Sequence, residues 1–230
     1  MKHRDAIDGL RAVAVVPVVL SHAGLASFSG GYVGVDIFFV ISGFLITGII
    51  ATQLDQGRFS LASFYERRAR RILPALFFVV ICCIPFAWAW MLPWQFKDFS
   101  QSLVAVSLFF SNLLFWMKSG YFGPAAQEMP LLHTWSLAVE EQFYLLFPLF
   151  LLLLSRWGRR HMVSVIVVVA LASFALSEVA SRSSPSANFY AAPTRAWELL
   201  VGSLCAFVPQ DWIAAKAGHS AIFSPAPVSQ

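Results

Sequence analysis

The sequence predicts an all-α integral membrane protein, a polytopic bundle of about six transmembrane helices plus one re-entrant segment. Three observations carry that prediction. Hydrophobic residues make up 58% of the 230-residue chain and charged residues only 12%, about half the ~25% charge content of a soluble domain. The 22 Phe and 8 Trp, with a mean hydropathy of +0.70, exceed what one compact soluble core needs. Apolar stretches near the ~20 residues that a bilayer core requires recur along the chain.

Taken in order, the candidate spans cover 8–27, 33–52, 72–90, 135–154, 162–180 and, more weakly, 190–209. The stretch 101–117 is short and is interrupted by Ser102, Ser107, Ser111 and Asn112. Lys2 and Arg4 before an apolar run resemble a signal peptide, but Asp5, Asp8 and Arg11 fit an uncleaved first span better. Cys82, Cys83 and Cys205 lie in apolar stretches without a CxxC or a Cys/His spacing. They read as small buried hydrophobes, with no metal site and no disulfide framework. A membrane domain over 1–209 is expected to be followed by a polar tail over 210–230.

Orientation follows from the bias of Lys and Arg toward the cytoplasm. The loop 53–71 holds Arg58, Arg67, Arg68, Arg70 and Arg71, and the next basic cluster is Arg156, Arg159 and Arg160. Both, with Lys2 and Arg4, belong inside. That parity holds only if 101–117 enters the membrane and returns to the same side, so 92–134 is expected to be an outer region that folds back. Non-helical backbone at membrane depth is tolerated where protein surrounds it. Six spans then leave both ends of the chain inside.

Ionisable residues at membrane depth are costly and mark candidate sites. Arg11 and His22 are eleven residues apart, close to three helical turns of ~10.8 residues, so they share a face roughly 16 Å apart along the axis. Histidine, with an unperturbed pKa of ~6.5, is suited to proton transfer near neutral pH. The alternative is an arginine reaching headgroups and a histidine bonded to nearby backbone. In HTWSLAVEEQFYLLFP, Glu140 and Glu141 lie early in an apolar span and diverge by ~100° on a helix. Glu140 shares its face with Ser136, Tyr144 and, further out, His133. The alternative role is a buried ion pair of Glu140 with Arg11 or Arg195. Arg67, Arg68, Arg70 and Arg71 in FSLASFYERRARRILP suit bidentate recognition of phosphate, or anchoring on anionic lipid. Asp36 follows Gly30 and Gly34, whose GxxxG spacing permits close helix contact. Arg195 and Glu198 are spaced for an ion pair.

These segments carry a resemblance. IDGLRAVAVVPVVLSHAG, GGYVGVDIFFVISGFLIT, FSLASFYERRARRILPAL, LLHTWSLAVEEQFYLLFPLF and PTRAWELLVGSL together resemble the acyltransferase-3 family, over about residues 4–207. Its members are bacterial O-acyltransferases that modify surface and secreted carbohydrates. The resemblance places the family's arginine–x10–histidine motif on Arg11 and His22, with the histidine essential for transfer. It places the RxxR motif on Arg67 and Arg70, and equally on Arg68 and Arg71, and a family acid on Glu140 with Glu141 beside it. It also implies a re-entrant outer loop after the third span. Family members have about ten spans, and relatives with these motifs often continue into a periplasmic SGNH hydrolase-like domain. Six spans would make this chain an incomplete membrane domain.

The function expected is transfer of an acyl group, acetyl first of all, across a bacterial inner membrane to a surface carbohydrate such as lipopolysaccharide. Acyl-CoA is the expected donor substrate, docking at the inner arginines with Arg11 helping to hold its phosphates. No bound cofactor, metal or nucleic acid is expected, and the oligomeric state is left open. His22 would be the base or a transient acyl carrier, and Glu140 would orient it. A proton-coupled carrier or flippase of a lipid-linked anion is the alternative from another class, and an inactive fragment is a third.

Overall fold

A computed structural model describes residues 5–119 and 129–208. The polar tail 210–230, Lys2 and Arg4 lie outside those residues. All regular structure among them is helical: α1 (Asp5–His22), a 3-10 turn (Ala26–Phe28), α2 (Val33–Asp55), α3 (Leu61–Trp90), α4 (Pro93–Ser107), α5 (Ser111–Lys118), α6 (Thr134–Ser155), α7 (Arg159–Ser183), α8 (Pro185–Tyr190) and α9 (Ala192–Ala206). Four of these, α2, α3, α6 and α7, are long and apolar enough to cross a membrane, and the chain is a multi-pass membrane protein. The expected first and sixth spans are shorter helices. α1 has 18 residues, and the stretch 190–209 breaks at Ala191 before the 15 residues of α9.

The arginine-rich stretch expected as a loop is helical. Ser60 caps α3, its hydroxyl accepting the backbone N–H of Ser63 at 3.4 Å, and the helix then runs unbroken through all four arginines. Leu, Ala, Glu and Arg are strong helix formers, and the cap supplies an acceptor for an orphan N–H at the start.

The stretch 101–117 is two short helices folded back on each other. Lys118 at the end of α5 pairs with Asp98 in α4 at 2.6 Å. Phe109, in the break between them, has φ +56°, an uncommon backbone conformation for a side chain of that size. Its carbonyl accepts a hydrogen bond from Nε2 of Gln142 at 2.9 Å. The same amide donates to Oδ1 of Asn112 at 2.9 Å, and Nδ2 of Asn112 donates to the Tyr190 carbonyl at 3.1 Å. The hairpin is thereby tied to α6 and α8, and the carbonyl exposed at its tip finds a partner in protein.

Backbone-to-backbone contact sets the centre of the bundle. A Cβ on Gly43 would lie 1.8 Å from the Leu199 carbonyl oxygen, and one on Gly202 would lie 1.9 Å from that of Val40. α2 and α9 therefore meet through glycine on both sides, the small-residue contact typical of membrane helices. α1 meets α2 in the same manner, with Gly34 against Ala14 and Gly31 against Pro17. This corrects the Gly30/Gly34 reading: space around Gly30 is open, because the chain is still turning there before α2 begins. Around this seam Ile46, Ile50, Phe147, Leu151, Ile166 and Leu200 form the main core.

The outer faces of α3 and α7 are apolar, with Phe78, Trp88, Val168 and Leu171 exposed. The cysteines also differ from expectation. Cys82 and Cys205 lie on outward faces, Cys83 is half-buried, and all three are free. In a lipid-facing helix an apolar neighbourhood in sequence does not imply a buried one.

Candidate active site

α1 ends at His22, which is exposed. The ring Nδ1 lies 2.7 Å from the carbonyl oxygen of Val18, one turn back on the same helix. A carbonyl can only accept, so Nδ1 carries the hydrogen. In the neutral imidazole this leaves the lone pair on Nε2. Against the ring stands His133, in the turn that leads into α6. The two ring centroids are 4.3 Å apart with planes at 81°. Burial first, and the charge that His22 would carry second, lower the pKa of His133 from its ordinary value. His133, not Glu140, is the residue that touches His22. Along a helix the seven-residue step from His133 to Glu140 rises by roughly 10 Å, which sets the Glu140 backbone well away from the ring that touches His22.

The second cluster lies deeper. Tyr144 donates its hydroxyl hydrogen to Oε1 of Glu140, one turn away on α6. The guanidinium of Arg68 reaches in from α3 and sits 4.4 Å from the centroid of the Tyr144 ring, in cation–π range. Arg68 is within electrostatic reach of both Glu140 and Glu141. The two acids diverge by ~100° on a helix, yet Arg68 feels the charge of both. Glu140 thus meets Tyr144 and Arg68 rather than Arg11 or Arg195. Oε1 of Glu141 has no hydrogen-bond partner among the described residues, and the fully buried hydroxyl of Ser42 lies beside the Tyr144 hydroxyl. A buried polar atom without a partner is costly.

The four arginines separate by position. Arg68 is half-buried, whereas Arg67, Arg70 and Arg71 are exposed. Arg70 pairs with Glu66 at 2.7 Å. On α1, Arg11 is half-buried, with its guanidinium 5.4 Å from the Phe38 ring and its Nε buried without a hydrogen-bond partner among the described residues.

A third cluster crosses the central seam. Arg195 of α9 pairs with Asp36 of α2 and, at 3.2 Å, with Glu198. Its guanidinium also lies 5.7 Å from the ring of Phe39 and 5.8 Å from that of Trp135. The expected pair is therefore a triad, with Asp36 as the member that spacing within α9 could not supply.

Sequence reading missed Tyr144 as a site residue, along with Ser42, Asn112 and Gln142. The i+4 relation of Tyr144 to Glu140 was a usable signal for the first. The others depend on which helices become neighbours.

Apolar crossing helices with acids, arginines and imidazoles turned between them define a membrane-embedded class of protein, and comparison with known proteins names it. The chain belongs to the acyltransferase-3 family: the model described as Acyltransferase domain matches residues 4–226. It is 36% identical over 215 residues to the peptidoglycan O-acetyltransferase OatA of Listeria monocytogenes, covering 90% of this chain and 34% of that protein. It is 35% identical over 212 residues to the O-acetyltransferase OatA of Staphylococcus aureus, covering 90% and 35%. An uncharacterized protein of Haemophilus influenzae is 43% identical over 183 residues, covering 74% and 73%. The chain spans about a third of the length of the two O-acetyltransferases. No solved structure matches it.

Proposed function

We propose that this chain is the membrane-embedded part of an O-acetyltransferase that moves an acetyl group from cytoplasmic acetyl-CoA to a carbohydrate outside the inner membrane. Membership of the family and the names of the O-acetyltransferase relatives support the reaction class. One observation carries the site: His22 holds Nδ1 on Val18 and leaves Nε2 open.

In the proposed step Nε2 takes the proton of the acceptor hydroxyl. The hydroxyl oxygen forms a bond to the acyl carbon, the carbon–sulfur bond breaks, and the proton passes to the departing thiolate. General base catalysis of this kind contributes about 10²–10⁴-fold. Arg68 and Arg71 are proposed to receive the donor's phosphates from the cytoplasmic side, with Arg11 as a further anion contact. The Glu140–Tyr144 pair holds Arg68 in place.

The topology that goes with this reading has the N-terminus inside, with α1 and α9 completing about six crossings. The α4–α5 hairpin enters from outside and returns. Its support is the Asp98–Lys118 pair together with the anchoring of Phe109 and Asn112.

The test is transfer of radiolabelled acetyl from acetyl-CoA to cell-wall or lipopolysaccharide carbohydrate, using membranes that carry the full-length protein. Label is expected in an alkali-labile ester on the carbohydrate. Its absence from every carbohydrate fraction, at normal protein level, would refute the reading. Single cysteines at Ser60 and Gly158 should resist an impermeant thiol reagent from outside, while those at Ser29 and Ser184 should react.

A further inference from the structure

We propose that His133 is the positioning partner of His22, a neutral imidazole whose edge-on contact means that the two rings together accept no more than one proton. This rests on the reading of His22 as the base and adds a second residue to it.

The two rings come from different elements, the last residue of α1 and the residue before α6, and meet edge-on at 4.3 Å. His22 is fixed at Nδ1 by Val18 and along its ring by His133, which leaves Nε2 as its one open atom. Two imidazolium ions at that spacing repel, so the pair resists a second proton, and its titration belongs to both residues. Burial disfavours the charge on His133 further, while His22 is exposed.

Other ionisable groups on the elements packed nearby are already occupied or distant. Asp36 is held by Arg195, which also engages Glu198, and Asp98 pairs with Lys118. Arg11 lies three turns down α1, beside Phe38, and Asp8 lies further still on the same helix. Among the described residues, Tyr32 before α2 and Tyr190 of α8 are the other groups nearby, and Glu140, Glu141 and Tyr144 lie further along α6. Burial and His22 are the two causes that act on His133.

In the transfer step the hydroxyl proton goes to Nε2 of His22 and then to the thiolate sulfur. His133 stays neutral throughout. It neither repels the imidazolium formed beside it nor takes the proton away.

Diethyl pyrocarbonate attacks only the neutral imidazole, so its rate at each histidine, read by peptide mass spectrometry across pH, reports that residue's titration. In the full-length protein, His22→Gln should raise the pH of half-maximal modification of His133 by ~0.5 unit or more, because the like charge is gone. His161 makes the same one-turn contact, to Trp157, and serves as the control that must not move. His133→Phe keeps a ring against His22 but removes the imidazole and its electrostatic coupling. It should lower acetyl transfer about 10-fold and alter the acid limb of the pH–rate profile.

An unmoved His133 in the His22→Gln protein, or a native rate and profile in His133→Phe, would overturn the proposal. The underlying reading fails separately: transfer that survives His22→Gln removes the base, whatever the modification experiment shows. If His133→Phe does not accumulate, the His22→Gln measurement still decides the coupling.

Discussion

Two polar clusters in this bundle use the same kinds of side chain to opposite ends. At the α2–α9 seam, Arg195 is engaged: two carboxylates pair with it and two aromatic rings flank it. At the junction of α1 with α6, His22 is exposed, one of its nitrogens is spent on its own helix, and the other is open. Charge at membrane depth suggests function by default. The contrast sharpens that rule, because a charge already held by two carboxylates and flanked by two rings has little left with which to react, even though Nε of Arg195 and Oε2 of Glu198 stay unbonded among the described residues. A group with one unspent atom beside a second titratable ring is where chemistry is expected.

The largest effect should come from the open cluster. His22→Gln keeps a hydrogen-bonding group of similar reach but no base near neutral pH. Acetyl transfer should fall by about 10²–10⁴ while protein level and thermal stability in detergent stay native. Near-native transfer would place His22 with the scaffold.

Next is the closed cluster, where stability rather than rate should change. Arg195→Gln leaves Glu198, 2% exposed in its side chain, without its countercharge. Removing one partner of a buried ion pair costs about 3–5 kcal/mol, which should show as a lower melting temperature and reduced yield. Replacing the whole triad, with Arg195→Met, Glu198→Leu and Asp36→Asn together, should recover much of that loss. Recovery of stability with transfer intact confirms scaffold, whereas recovery without transfer assigns the triad a place in the reaction.

The same division explains what the sequence could disclose. Hydropathy disclosed the long helices, since length and apolarity are local properties: α2, α6 and α7 begin and end near the expected spans, and α3 ends where its span was expected to end. It also disclosed the ionisable residues inside apolar runs, because an ion there is conspicuous wherever its helix goes. Partners were the harder part. Tyr144 within α6 was accessible by spacing, but Arg68 between Glu140 and Glu141, Asp36 on Arg195, and His133 on His22 depend on which helix lies beside which. The helical start of α3 was hidden by charge, which looks like a loop in a membrane protein although arginine favours helix.

An intermediate effect is expected at the seam itself. A Cβ at Gly43 meets backbone, which cannot rotate aside as a side chain can. Gly43→Ala should therefore separate α2 from α9 and cost about 1–3 kcal/mol, the usual range for overpacking. Gly48 lies on the same helix with nothing within 4 Å of an added Cβ. There alanine should be neutral or gain up to about 1 kcal/mol through helix propensity. Equal melting temperatures for the two variants would show that the glycine contact does not hold the seam.

The smallest effect separates the two arginine pairs on which the family's RxxR motif falls equally well. Arg70 and Glu66 form an i,i+4 pair whose side chains are 79% and 60% exposed, and exposed helix pairs of this kind contribute about 0.3–0.5 kcal/mol. Arg67 is exposed as well. Arg67→Gln with Arg70→Gln should thus leave folding unchanged and weaken acetyl-CoA binding by no more than about 2-fold, within the range of a lost surface charge. Arg68→Gln with Arg71→Gln removes the guanidinium over Tyr144 and an exposed charge one turn further on, and should weaken binding about 10-fold or more. Lysine at Arg68 and Arg71 should restore binding only in part, since it returns the charge without the planar fork. Isothermal titration of the purified variants with acetyl-CoA reads all of these. An equal loss from both glutamine pairs would mean that the helix attracts the donor as a diffuse positive surface, and the inward turn of Arg68 would then belong to packing alone.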